Sequence, residues 1–181
     1  MIGVAIDESI ADAAPWAAPV DLPVLVDTDR TFADSYGLVN VPTVFWVDED
    51  RSIVRRPSTE FPDDTFTEVH GVESGPHLDA VRAWVRDGVL PEPVEASSLG
   101  ALTDDQRQAR AEFRLALELS RRGEHDTAAE RVRIADALAP DDFTIWRAGM
   151  QLVGGDPFGA DFFERYRGWQ QRHGGPLQVL D

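Results

Sequence analysis

The chain has 181 residues, a net charge of −16 and no cysteine. Its length fits one large domain or two small ones, and 43% apolar with 28% charged residues is typical of a globular protein rather than a disordered one. The lack of cysteine excludes disulfides, thiolate metal sites and cysteine nucleophiles within the chain.

The acidic charge and the short apolar runs exclude further classes of partner. A strongly negative surface repels phosphate backbones and anionic lipid, so we expect neither nucleic-acid nor membrane binding. No apolar run is long enough to cross a bilayer. No signal sequence precedes Ile2, which predicts a cytoplasmic location.

The first half of the chain predicts alternating strands and helices. Apolar, β-branched runs predict strands over 2–6, 22–27, 41–48 and 52–56, the last two joined by an acidic turn as a hairpin. Three helices are predicted. The first begins after an N-cap at Ser9 and contains Pro15, which should disturb it. The second ends at Gly37 as a left-handed C-cap, and the third covers 74–88.

The second half predicts helices only. A Pro-, Ser- and Glu-rich stretch without periodicity predicts a linker over 90–101. Four helices then follow within 102–181, ended by Gly123 after the first and Pro140 after the second, with Pro157 near the first turn of the fourth. The aromatic residues near the C-terminus have helical spacing and are expected to fill the helical core; they are Trp146, Phe162, Phe163, Tyr166 and Trp169.

The helical half resembles a tetratricopeptide repeat, a 34-residue helix pair with small residues where its helices cross. The residues that carry the resemblance are Leu115, Ala116, Leu119, Gly123, Ala128, Val132, Ala135, Pro140 and Trp146. They cover one repeat and the first helix of another. The alternative is a generic helical hairpin with the same spacing.

The first half resembles the thioredoxin-like redoxins, specifically the TlpA/ResA-type disulfide reductases and their AhpC/TSA-type peroxidase relatives. The resemblance lies in "IGVAIDES" followed by "PVLVDTDRTFADSYGLVNVPTVFWVDEDRSIV", and it covers residues 2–88. It implies an α/β fold: an incomplete thioredoxin-like domain over 1–89, which lacks the N-terminal strand and the cysteine-motif helix. The all-α, tetratricopeptide-like region over 102–181 then follows the linker.

The resemblance also implies a substrate-binding loop at Val41, Pro42 and Thr43. In the family the bond before this proline is cis, and the backbone of the preceding residue pairs with an extended substrate segment. Val41 and Pro42 would then contact a peptide, with Thr43 supporting them. Alternatively, Pro42 is trans and simply begins a strand.

No residue of this chain can replace the family's catalytic cysteines, which lie on a strand and helix before the segment matched here. We therefore expect no catalytic residue, and expect the chain to be a fragment produced by a misplaced start codon or a real truncation. Without that central strand, the strands from Ile2 and Thr43 would each have an unpaired edge. These edges would pair with each other, pair with another chain and so allow self-association, or stay open in a fragment.

Other candidate sites are weak. The four histidines are scattered, so no metal site and no cofactor is predicted, and His77 and His125 are expected to be exposed. The acid pairs Asp27 with Asp29 and Asp48 with Asp50 lie in turns, where Asp bonds local backbone rather than performing catalysis.

Two functional hypotheses remain. By resemblance, the family activity is thiol–disulfide exchange, for which this chain lacks the thiols. The alternative is a non-catalytic module that binds peptide or protein partners through the Pro42 loop or the helical repeat.

Overall fold

The computed structural model describes residues 1–65, 67–91 and 102–173. The chain is mixed α/β, because strands and helices alternate up to residue 91 and only helices occur over 102–173. Most of the predicted linker at 90–101 lies outside the described residues, which are interrupted between positions 91 and 102.

Four short strands form two separate two-stranded sheets. Strand β1, Gly3–Ala5, lies parallel to β2, Val24–Val26, while β3, Val44–Val47, and β4, Ile53–Ser58, form the predicted antiparallel hairpin. Within the described residues β1 and β3 do not pair with each other, which excludes the first of the three expected outcomes for their edges.

The sequence predicted three of the four helices that the described residues of the first half form, and it did not predict the short one at 67–70. The four are α1, Ile10–Ala17; α2, Thr31–Ser35; α3, Thr67–His70; and α4, Ser74–Asp87. Ser9 caps α1 as predicted, since its side chain accepts a hydrogen bond from the Asp12 backbone. Pro15 lies inside α1 without ending it. Gly37 has a φ of 61° just after α2, as the left-handed C-cap requires.

Over residues 102–173 the chain forms helices α5, Asp104–Arg121; α6, His125–Leu138; α7, Phe143–Leu152; and α8, Ala160–His173. Thr103 and Gln106 form a reciprocal capping box at the start of α5. Gly123, at φ 81°, lies in the turn between α5 and α6. Helix α8 begins three residues after Pro157, later than predicted.

Small residues let the helices of the second half approach closely. Ala109, Ala116 and Ala135 are fully buried beside Phe113 between α5, α6 and α7. Gly149 of α7 touches α6, because a Cβ added there would lie 2.6 Å from Val132 Cγ1. The predicted close crossing is therefore present, although Leu115, another residue of the repeat pattern, is exposed.

A second core joins α7 to α8 through aromatic rings. Phe143, Tyr166 and Trp169 are buried together, and Trp146 and Phe162 pack against them. Trp146 stacks on Phe162 with ring centroids 5.4 Å apart. Phe163 is half-buried and meets Phe162 edge-on. These contacts confirm that the aromatic residues fill the helical core.

Candidate functional site

The loop after α2 is held by the helical half. The Val39 carbonyl accepts hydrogen bonds from the backbone amides of Phe143 at 2.8 Å and Thr144 at 3.3 Å, at the start of α7. Arg110 Nη2 of α5 donates to the Leu38 carbonyl at 2.6 Å. Because these donors belong to two helices that pack together, the backbone just before Pro42 is held in a fixed position.

Arg110 is the buried charge at this junction. Its Nη1 donates to the Ala33 carbonyl at 2.9 Å and to Asp34 at 3.2 Å, and its Nη2 donates to Asp142 at 3.0 Å. Asp142 also accepts a hydrogen bond from the Thr144 hydroxyl at 2.5 Å. Burial raises the pKa of Asp142, while Arg110 and Thr144 act in the opposite direction. Arg110 therefore links the two halves through its bonds to residues 33–38, and its desolvated ion pair with Asp142, inside the helical half, holds the guanidinium in place.

The predicted binding residues lie on the outer part of the loop. Val41 and Pro42 are exposed, and the bond between them is cis, so that prediction is confirmed. Thr43 Oγ1 donates to the Asn40 carbonyl at 2.7 Å, and Asn40 Nδ2 donates to Thr59 Oγ1 at 3.0 Å. These two bonds close the loop on itself and fasten it to the end of the hairpin.

The backbone polar groups of Val41 are available for hydrogen bonding. Neither its N–H nor its C=O forms a hydrogen bond with any residue in the described part of the chain. The residue is 38% exposed. A backbone donor and acceptor on an exposed, anchored loop are available to a binding partner.

Val41 also lines an open cleft of about 700 Å³ between the two halves. The first half contributes Asp7, Trp16 and Arg30 to its walls, and α7 with the turn after it contributes Arg147 and Phe158, among others. This volume falls within the range of small-molecule pockets in proteins. The structure thus places Val41 beside polar, charged and aromatic side chains that are distant in the sequence.

The expectation that His77 is exposed is wrong. Its side chain is only 10% exposed, with Nδ1 3.5 Å from Glu60, and its ring lies 6.1 Å from that of Trp46. Burial lowers the pKa of His77; Glu60 opposes this shift and Arg55 adds to it. His77 and Glu60 line a second cavity of about 580 Å³ on the hairpin side. His125 is exposed, as predicted.

The acid pairs have the local roles expected of turns. Asp27 accepts hydrogen bonds from the Phe32 and Ala33 amides at the start of α2, and Asp29 accepts one from the Thr31 amide. Asp48 accepts one from the Ser52 amide within the hairpin turn.

Among residues 1–65, 67–91 and 102–173, no group of three or more metal-ligating side chains is placed to hold a metal ion. No helix in the same ranges is long and apolar enough to cross a bilayer.

Sequence reasoning missed Arg30, Arg110 and Asp142. Arg110 bonds to residues 32 to 77 positions away along the chain, and no local pattern encodes such a pairing. Arg30 is part of "DTDR", a segment whose residues indicate only the start of a helix. For Asp142 the sequence did contain a signal, because this residue precedes the apolar run of α7 as an N-cap would.

Comparison with known proteins adds no identification. No family model, curated protein or solved structure matches the chain.

Proposed function

We propose that this chain is a thioredoxin-like, cysteine-free module that binds an extended peptide segment at Val41. One observation carries the proposal: the backbone N–H and C=O of Val41 have no hydrogen-bond partner in the described residues, on an exposed loop beside a cleft. An extended peptide supplies a matching acceptor and donor, as in other cases where a peptide adds to exposed backbone.

The energetics require the cleft as well as the loop. Two backbone hydrogen bonds contribute only about 0.5–1.5 kcal/mol each after exchange with water, which is too little for specific binding. Side chains of the peptide must therefore bury apolar area against cleft residues such as Trp16 and Phe158, both largely exposed in the free protein. In this proposal Val41 sets the direction of the peptide and the cleft supplies most of the affinity.

The helical half has a supporting role in this proposal. Its resemblance to a tetratricopeptide repeat rests on the close α5–α6 pair, and its first helix and α7 hold the loop through Arg110, Phe143 and Thr144. We infer that α5 and α7 fix the binding loop and form one wall of the cleft.

The order of segments from Ile2 to Val54 supports descent from thioredoxin-like redoxins. Thiol–disulfide exchange, however, needs a thiolate nucleophile, and this chain has none. We expect the 181-residue protein to leave insulin disulfides unreduced in the presence of a thiol donor. Turnover above that of the thiol donor alone would contradict the non-catalytic proposal.

The binding proposal is tested by changing the peptide rather than the protein. Peptides are selected from a displayed library of random sequences, and the strongest is resynthesised with an N-methyl group at each position in turn. N-methylation removes one backbone donor. A peptide that pairs with Val41 loses roughly tenfold or more in affinity at the position facing the Val41 carbonyl, and little at the adjacent positions.

Two results would overturn the proposal. One is equal tolerance of N-methylation at every position, which would mean that backbone pairing contributes nothing. The other is failure to select any peptide from the library.

A further inference from the structure

Two arginines in the cleft between the halves differ from the other shielded arginines of the protein. Among arginines whose burial the structure describes, the other buried or half-buried ones each have a carboxylate within 4.0 Å; they are Arg55, Arg110, Arg131 and Arg165. Arg30 and Arg147 have no such partner in the described residues, and both line this cleft.

Arg30 combines two unfavourable features. The residue is only 7% exposed, yet its guanidinium forms no hydrogen bond with the described residues and rests on the Phe113 ring, 4.7 Å from its centroid. Its backbone also has a φ of 61°, a left-handed conformation that costs a non-glycine residue about 1–2 kcal/mol. Neighbouring acids, chiefly Asp142 and Asp34, support its charge from a distance, but none of the described residues accepts a hydrogen bond from its guanidinium.

Arg147 lines the same cleft. Its guanidinium is held over the rings of Phe158, at 4.2 Å, and Phe162, at 4.9 Å, and is half-buried without an ionic partner in the described residues. Stacking of this kind fixes the orientation of the guanidinium plane while its N–H edge stays available. Two planar donor groups therefore line one cavity without an acceptor from the described residues.

We propose that Arg30 and Arg147 bind one carboxylate group of the peptide that occupies this cleft. This inference rests on the proposed peptide-binding function and names the chemistry of its ligand. A carboxylate accepts paired hydrogen bonds from guanidinium groups, and such bonds are stronger when they are shielded from water, as at Arg30. The carboxylate belongs either to the C-terminus of the peptide or to an Asp or Glu side chain.

Other residues that line the cleft restrict which further side chains the peptide can have. Asp7 and Glu8 lie in the lining and have no ion pair with the described residues, so they repel a second negative charge near the first. Trp16, 80% exposed, and Phe158, 68% exposed, offer rings for apolar side chains. The expected ligand is an extended peptide with one carboxylate, apolar neighbours and no second acid.

Two display libraries of random peptides distinguish the sources of the carboxylate. One presents a free C-terminus and the other has the C-terminus fused to the carrier. Enrichment in the free-end library alone indicates the terminal carboxylate, and a fixed Asp or Glu in the fused library indicates a side chain. Enrichment in both without a fixed acid would overturn carboxylate recognition but leave peptide binding intact. Failure to enrich peptides in either library would contradict peptide binding itself.

The enriched peptide is then titrated calorimetrically against the wild type and Arg30→Met, Arg147→Met and Arg133→Met. Arg133 is an exposed arginine of α6 outside the cleft lining and serves as the matched control. Each cleft variant is expected to bind roughly tenfold more weakly or worse, and Arg133→Met like the wild type. Replacing the peptide carboxylate by an amide should weaken binding to the wild type by a similar factor and affect Arg30→Met little.

Folding of the variants is checked by circular dichroism and Tm before titration. The comparison of the carboxylate and amide peptides uses the wild-type protein, so it stays decisive even where Arg30→Met fails to fold. Equal affinity of the carboxylate and amide peptides for the wild type would overturn the proposal.

Discussion

Arg110 is the residue whose bonds to residues 33–38 join the two halves, and Asp142, in its own half, is its buried ionic partner. Their side chains are 5% and 1% exposed, and their atoms lie 3.0 Å apart. A buried ion pair contributes little compared with an apolar pair, but removing one partner leaves the other charge buried without compensation. The structure therefore predicts an asymmetric response to single and double substitution.

We expect Arg110→Met to lower the free energy of unfolding by about 3–5 kcal/mol, because Asp142 and the Leu38 carbonyl lose their donor. The double variant Arg110→Met with Asp142→Leu should be less damaged than the sum of the two single variants. Urea denaturation measures all three. Arg122→Met, which breaks an exposed pair with Glu118, is the control and should cost less than about 1 kcal/mol. Simple additivity, or a loss at Arg110 no larger than at Arg122, would contradict this role.

His77 makes stability depend on pH. Burial lowers its pKa in the folded protein from the ordinary value of 6.5, with Glu60 opposing and Arg55 adding to the shift. The unfolded chain therefore binds the proton more readily, so stability is present above pH 6.5 and is lost as the pH falls through the lowered value. The free energy of unfolding should decrease from about pH 7.5 to 5.5, and His77→Gln should reduce that decrease. The wild type and His77→Gln share the other histidines. If the free energy of unfolding depends on pH identically in both, the effect does not come from His77.

The crossing of α6 and α7 depends on the absence of a side chain at Gly149. Within a helix, Gly→Ala normally stabilises by about 1 kcal/mol. At Gly149 the new methyl group would lie 2.6 Å from Val132 Cγ1, so Gly149→Ala should instead destabilise by about 1–3 kcal/mol.

Gly168→Ala is the matched change in α8. There the nearest atom is Arg172 Nη1 at 3.5 Å, the end of a flexible side chain, so stability should stay equal or rise by up to about 1 kcal/mol. Thermal unfolding of both variants gives the comparison. A gain in stability at both sites would mean that α6 and α7 lie farther apart than described.

The positions of helices and strands were predictable from sequence because their signals are local. Ser9, Thr103 and Gly123 start or end helices through contacts within a few residues. The cis bond before Pro42 was predicted from the order of segments around it. The pairing of strands was not predictable in this way, because the choice between one sheet and two depends on contacts between distant segments.

The cleft was not predictable for the same reason. Arg30 and Arg147 lie 117 positions apart in the numbering, and each by itself is an ordinary arginine. The exposed state expected for His77 was wrong because Trp46 and Glu60, which cover it, come from the hairpin and the chain after it. Burial of a polar residue is set by tertiary packing rather than by the residue's position in its helix.

The two halves should unfold together. The bonds from Arg110, Phe143 and Thr144 to residues 33–39 bury polar groups at the contact between the halves, so unfolding of one half removes hydrogen bonds that stabilise the other. We expect urea transitions of the wild type followed by far-ultraviolet circular dichroism and by the NMR signals of residues in β3 to coincide. Separate midpoints for the two probes would show that the halves are independent and that the loop is not fixed by the helices.

Hydrogen exchange at the Val41 amide tests peptide binding at this loop most directly. In the free protein this amide has no hydrogen-bond partner in the described residues and should exchange rapidly. With a saturating concentration of the selected peptide, pairing should slow its exchange by roughly tenfold or more, while the Asp50 amide in the hairpin turn stays unchanged. A peptide that binds tightly yet leaves Val41 exchange unaltered would contradict the account.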